Sequence, residues 1–243
     1  MDSEFIPIGE NESFCFSCTM DVPCFNQCCR DLNQILMPYD ILRLKQHLGM
    51  DSGRFLEAFT IRRVGPATGL PTVSLKFDAA DRLKCPFVTP SGCRVYIDRP
   101  SSCRTYPLIR ALQRNRETGK TLTYYALVKE AHCRGFDHTA TAISIKQWVD
   151  DQKMAEYNHM NDLMMEVISL KNDRLPGPLD TTIRQQIYEA LYSLDEFRGT
   201  LSDIPRISTE LQLDEDTMEK AESDDPTLLR IGIRWVKHLI IAP

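Results

Sequence analysis

The chain has 243 residues, a formal net charge of −5 and 26% charged side chains. That length can bury a sizeable core, so metal is not needed merely to fold, and the slight acidity excludes a nucleic-acid binder on bulk charge. The apolar runs are too short to span a bilayer, and the acidic start Met1-Asp2-Ser3-Glu4 lacks the apolar core of a secretory leader, so a cytoplasmic protein is expected.

Residues 1–14 read as an extended lead-in anchored by Phe5, Ile6, Ile8 and Phe14. From Cys15 to Arg30 the density of thiols favours a loop wrapped round an ion over a regular element. Pro38 opens a helix, since its missing N–H would be unbonded in the first turn anyway. Ile41, Leu44 and Leu48 give that helix one apolar face, and Gly49 stops it. Asp51 caps a second short helix carrying Phe55, Leu56 and Phe59. After the loop 65–71, Val73, Leu75 and Phe77 alternate with polar residues as in a half-buried strand. Arg94 to Ile97 reads as a short strand after the Ser91-Gly92 turn. Leu108 to Leu112 and Thr121 to Val128 read as a hairpin around the polar segment Arg114 to Lys120.

The second half changes character. Ser144 and Gln147 form a capping-box signature that opens the longest helix, reaching about Leu170. Its buried stripe is Ile145, Trp148, Val149, Tyr157, Met160, Met164, Val167 and Ile168. Another helix spans about 182–197 and stops at Gly199. Residues 203–225 carry nine acidic and two basic side chains, and Asp225-Pro226 then opens a last helix to Ile240. The whole predicts an α+β protein, with a cysteine-cluster metal-binding domain at 1–140 and a helical region at 141–243 packed on it.

All nine cysteines lie before residue 134. In a reducing compartment such clustering points to metal and away from disulfides. Cys18, Cys24, Cys28 and Cys29 come from one short segment, and Cys85, Cys93, Cys103 and Cys133 supply four more. These eight are the candidate metal ligands. Neighbouring side chains of an extended stretch point to opposite sides, so Cys28 and Cys29 would serve different centres. That favours two nearby metal sites sharing both stretches, or one larger cluster. Cys15 is the ninth thiol and the candidate spare, although its C-x-x-C spacing with Cys18 keeps it in contention. His132, next to Cys133, is a weaker candidate. Arg99 and Arg104 flank Cys103 and suit hydrogen bonding to sulfur or carboxylate. Asp40 and Asp98 are candidate partners for them. Arg110, Arg114 and Arg116 read as a solvated hairpin rim.

The chain resembles the YkgJ-type cysteine-cluster proteins, a zinc- or iron-chelating family. The resemblance rests on Cys24-Phe25-Asn26-Gln27-Cys28-Cys29-Arg30, on Pro38 to Leu44, and on Cys85-Pro86-Phe87 followed by Gly92-Cys93-Arg94-Val95-Tyr96. Arg99 to Pro107, Cys133-Arg134-Gly135 and Trp148 complete it. It covers roughly residues 14–160. The five-residue gap from Cys18 to Cys24 departs from the motif and leaves Cys15 against Cys18 open as first ligand.

Flagellin lysine-N-methylase holds a similar cluster, which implies a link to methyl transfer, although no Gly-rich S-adenosylmethionine loop is present. Few histidines and no paired C-x2-C knuckles favour an iron–sulfur cluster of the 4Fe–4S kind over zinc. The expectation is a cytoplasmic metal-binding protein with a redox or accessory role. Its alternatives are a methylase-like enzyme and a zinc-stabilised module whose tail, 203–243, engages a protein partner.

Overall fold

The computed structural model describes residues 3–115, 118, 121–137 and 141–242. It divides into two compact units, each built from two stretches of chain: Met1–Leu32 with Phe77–Glu156, and Asn33–Lys76 with Tyr157–Pro243.

In chain order, the first unit begins with β1 (Ser3–Ile8), β2 (Ser13–Phe14) and a 3-10 turn at Gln27–Cys29. The second unit then takes β3 (Ile35–Leu36), α1 (Pro38–Leu48), α2 (Ser52–Phe59), β4 (Thr60–Val64) and β5 (Pro71–Leu75). The chain returns to the first for β6 (Val88–Thr89), β7 (Gly92–Cys93), a 3-10 turn at Tyr96–Asp98, α3 (Ser101–Thr105), β8 (Leu108–Arg114), β9 (Thr121–Glu130), β10 (Ile143–Ser144) and α4 (Ile145–Asp151). Helix α5 (Ala155–Arg174) leads into α6 (Thr181–Tyr192), α7 (Leu194–Asp203), α8 (Pro205–Glu210), α9 (Glu215–Ser223) and α10 (Asp225–Ile241). The protein is α+β, with short antiparallel strands and a helical C-terminal part.

In the first unit the lead-in is a sheet strand. β1 pairs with β9 from Ser3↔Glu130 to Ile8↔Tyr125, and the sheet order is β1-β9-β8. Period-two alternation sends Ile6, Ile8, Leu108, Tyr125 and Leu127 to one face, where they close over Phe14, Phe16 and Ile145. Phe16 sits in an aromatic nest, 5.0 Å from Phe136, 5.6 Å from Tyr106 and 5.9 Å from Trp148 between ring centroids. The Trp148 indole N–H donates to the Thr105 carbonyl at 3.1 Å. Cys133 packs against this same core.

In the second unit α1 begins on Pro38, and Asp40 accepts the Met37 N–H at 2.9 Å. The helix stops where Gly49 turns left-handed at φ 61°. Asp51 caps α2 by accepting the Arg54 N–H at 2.8 Å. Strand β5 is central, in the order β3-β5-β4, so Ser74 is buried along with Val73 and Leu75 and the half-exposed alternation does not hold. The α6–α10 crossing is close: a Cβ on Gly232 would lie 2.2 Å from the Ala190 carbonyl. Lys45, only 5% exposed, reaches Asp195 and Asp225, each at 2.9 Å.

Several elements differ from expectation. The strand at 94–97 is replaced by the Gly92–Cys93 strand and a 3-10 turn at Tyr96–Asp98. The long helix is two, broken where Lys153 takes φ 53°. The helix at 182–197 is also two, broken at Ser193, and Gly199 lies inside α7. Asp224 caps α10 by accepting the Thr227 N–H at 2.8 Å, one residue before the expected cap. The acidic stretch holds the short helices α8 and α9. Arg116 and Lys120 lie outside the described residues. Among the described residues no helix is long and apolar enough to cross a membrane.

Candidate metal centre

Consecutive turns shape the first cysteine stretch. The Val22 N–H donates to Thr19, Phe25 to Val22, Gln27 to Cys24 and Cys29 to Asn26, at 2.9 to 3.2 Å. Val22 is the buried pin of that loop. Asn26 takes a left-handed φ of 66° and donates its side-chain amide to the Thr89 carbonyl at 2.9 Å. Sequence separation is closed by backbone bonds: Cys85 N–H to the Cys29 carbonyl at 2.9 Å, and Asp31 N–H to the Leu83 carbonyl at 2.9 Å. Cys29 and Cys85 therefore stand side by side.

A third segment joins from the end of β9. The Cys133 N–H donates to Glu130 at 2.9 Å, and Ser17 N–H donates to the Gly135 carbonyl at 3.0 Å. Gly135 is there because nothing larger fits: a Cβ would lie 2.4 Å from the Phe16 ring and 2.8 Å from the Ser17 carbonyl. The same close approach brings the Arg134 N–H to Cys24 Sγ at 3.1 Å.

Eight of the nine sulfurs sort into two groups. Cys18, Cys24, Cys28 and Cys133 line one small cavity of about 10 Å³, together with Phe16, Tyr106 and His132. Burial first, and then the charges of Cys28, Cys24 and Cys133, push the Cys18 thiol up to about 11. Cys29 senses the other group, with Cys85 and Cys103 among the neighbours that raise it. Cys85 is raised by burial and by Cys93, and the Phe87 and Val88 N–H groups oppose this. The β6–β7 pairing, Val88↔Cys93, folds that loop back on itself. Cys28 and Cys29, adjacent in the chain, join the groups: the interaction between the two side chains lowers Cys28 and raises Cys29. All nine cysteines lie within the described residues, and none forms a disulfide.

Charge and polar atoms around the sulfurs are buried. Arg99 donates to the Tyr96 carbonyl at 2.6 Å and to Gln152, and its guanidinium lies 3.8 Å over the Tyr96 ring. Burial lowers its pKa, and the charges of Cys103 and Cys93 work the other way. Arg104 staples backbone, donating to the carbonyls of Arg99, Gln152 and Ile97. Gln152 had no sequence signal, because its role depends on α4 ending where it does. Asp40 belongs to the other unit and caps its own helix. Cys15 does not line the four-thiol cavity, although it is exposed in common with Cys18 and Cys103.

The donor set suits a soft or borderline metal. Among the described residues His132 Nε2 is buried without a hydrogen-bond partner and lies 3.8 Å from Glu130 Oε2, while the Tyr106 hydroxyl faces Cys133, which burial raises and the hydroxyl holds down; both residues line the four-thiol cavity. An unpartnered ring nitrogen fits a wall whose polar content is not complete with protein alone. Among the described residues no group of three or more His, Cys, Asp or Glu is arranged ready to grip an ion. The two groups are near neighbours and not finished coordination spheres.

Residues 17–160 match the model of a protein family, CxxCxxCC, described as "Putative zinc- or iron-chelating domain". No curated protein and no solved structure matches the chain.

Proposed function

Because the chain belongs to the CxxCxxCC family, we propose that it binds metal through two adjoining thiolate quartets. One is Cys18, Cys24, Cys28 and Cys133; the other is Cys29, Cys85, Cys93 and Cys103. The observation that supports this reading is that Cys18, Cys24, Cys28 and Cys133 line one cavity while a backbone bond sets Cys85 beside Cys29, the neighbour of Cys28.

The metal we favour is iron, as an iron–sulfur cluster with one thiolate per iron. Such a cluster supplies one-electron transfer, which gives the protein a redox or accessory role in a reducing compartment such as the cytoplasm. The chain's own residues hold and tune the donors. Gly135 lets the Cys133 segment close on the Cys18 segment. The Arg134 N–H gives Cys24 a hydrogen bond of the kind that shifts a cluster's potential. Arg99 sets a buried positive charge near both quartets, offsetting thiolate charge.

The test is anaerobic purification followed by iron, zinc and acid-labile sulfide analysis with an absorption spectrum. Iron with sulfide and a broad visible band is expected. Cys28→Ser and Cys29→Ser should each remove about half of the metal, since each quartet keeps its own four donors. Cys15→Ser should remove none. A sample without iron or zinc, or a Cys15→Ser loss equal to that of Cys29→Ser, overturns the reading.

A further inference from the structure

Beside the cysteine loops lies a groove of about 330 Å³ lined by Phe25, Asn26, Gln27, Arg30, Lys84, Val88, Thr89 and Pro90. Its volume falls within the ~300–1,000 Å³ of small-molecule sites. One side is apolar. Phe25 stands over Gly92, whose φ of 115° and missing side chain make room for the ring; a Cβ there would lie 3.2 Å from it. The other end is cationic. Arg30 and Lys84 form an antiparallel bridge, so their side chains leave the ribbon on the same side. Both turn to one acid: Arg30 Nη1 lies 3.4 Å from Asp81 Oδ1, and Lys84 Nζ lies 3.2 Å from Asp81 Oδ2. Two cations thus meet at the end of an aromatic-walled slot, with Asp81 between them and Asp78 paired with Lys84 along the backbone on its other edge. Arg30, Lys84 and Asp81 are partly exposed, so an incoming anion can reach them.

We infer that this groove binds a small organic anion, a planar ring carrying a carboxylate or phosphate. The ring lies against Phe25 and Pro90, and the anionic group takes the Arg30–Lys84 end in competition with Asp81. The cysteine stretches form the groove walls, so a ligand there lies along the loops that carry Cys29 and Cys85. The inference does not require that those cysteines hold metal.

Isothermal titration of the full chain as purified, with metal content measured for each variant, tests it. The probes are phenyl phosphate, benzoate and inorganic phosphate. Saturable binding of at least one aromatic probe is expected, with inorganic phosphate about tenfold weaker because it leaves the apolar wall uncovered. Which aromatic probe binds tighter separates phosphate from carboxylate. Asp81→Asn removes the internal competitor and should tighten the aromatic probe about fivefold. A merely structural Asp81 would leave affinity unchanged or weaken it. Phe25→Leu should bring the aromatic probe down towards inorganic phosphate. No saturable binding by either aromatic probe to ~10 mM, a range that covers weak small-ligand sites, overturns the proposal. So does an Asp81→Asn variant that keeps its fold and metal but binds no tighter.

Discussion

Lys45 illustrates how a single residue holds the second unit. Its ammonium is buried between Asp195 and Asp225, and Arg198 also pairs with Asp225. Removing one member of a buried set leaves uncompensated charge, which costs about 3–5 kcal/mol. Asp225 keeps Arg198 and Asp195 keeps the Ser52 N–H at 2.6 Å, so Lys45→Met should cost near the lower end, about 3 kcal/mol. Denaturant unfolding measures it. Burial alone would raise the Asp195 carboxyl, but the Ser52 N–H and Lys45 outweigh it and hold it below the ordinary range. A depressed carboxyl contributes its stability above its unfolded pKa and loses it as pH falls through the folded value. Stability should therefore decline below about pH 4, and Asp195→Asn should flatten that part of the profile. None of this network was legible in the sequence: Lys45 looks like any polar residue on an amphipathic helix, and its partners lie 150 and 180 residues away. The cysteines were legible, because unlike a lysine a thiol in such density has few other uses.

At the scale of elements, Gly232 sets two effects against each other. Glycine inside a helix costs about 1 kcal/mol relative to alanine, so Gly232→Ala would stabilise an isolated α10. Here the added Cβ would meet the Ala190 carbonyl at 2.2 Å, and overpacking a close crossing costs about 1–3 kcal/mol. The clash should win, with net destabilisation of about 1 kcal/mol or more in thermal unfolding. The caps at Asp51 and Ser144 and the proline start of α1 were read correctly, because each is satisfied by residues three or four away. The break at 152–154 was not. The periodic pattern runs straight across it, yet the chain turns at Lys153 so that Gln152 can meet both Arg99 and Arg104. That demand comes from a loop 50 residues upstream, and no local window contains it.

On the scale of the whole molecule, each unit has its own core, one around Phe16 and Ile145 and the other around α1, α6 and α10. The metal donors all belong to the first. Metal at a hundredfold excess over Kd contributes about 2.7 kcal/mol, and each kcal/mol moves the midpoint of a unit this size by roughly 4 °C. Stripping metal with a chelator under reducing conditions should therefore lower one calorimetric transition by about 10 °C. The transition of the helical unit should stay in place. One transition moving as a block would show that the two units do not unfold independently. The fold class was readable from the change of pattern along the chain. Nothing local in residues 33–76 marks them as partners of helices that begin after residue 180.

That interleaving sets a timetable for biosynthesis. Strand β5 and helix α1 leave the ribosome early, but α6, which packs against both, and α10, which packs against α1, are made much later. At roughly 5–20 residues per second, the nascent chain carries an uncovered apolar segment for about ten seconds or more before α10 emerges. Meanwhile the thiol-bearing loops and β9 are already complete. The sulfur-rich half can mature while the older segment waits, a situation in which a holdase has something to hold.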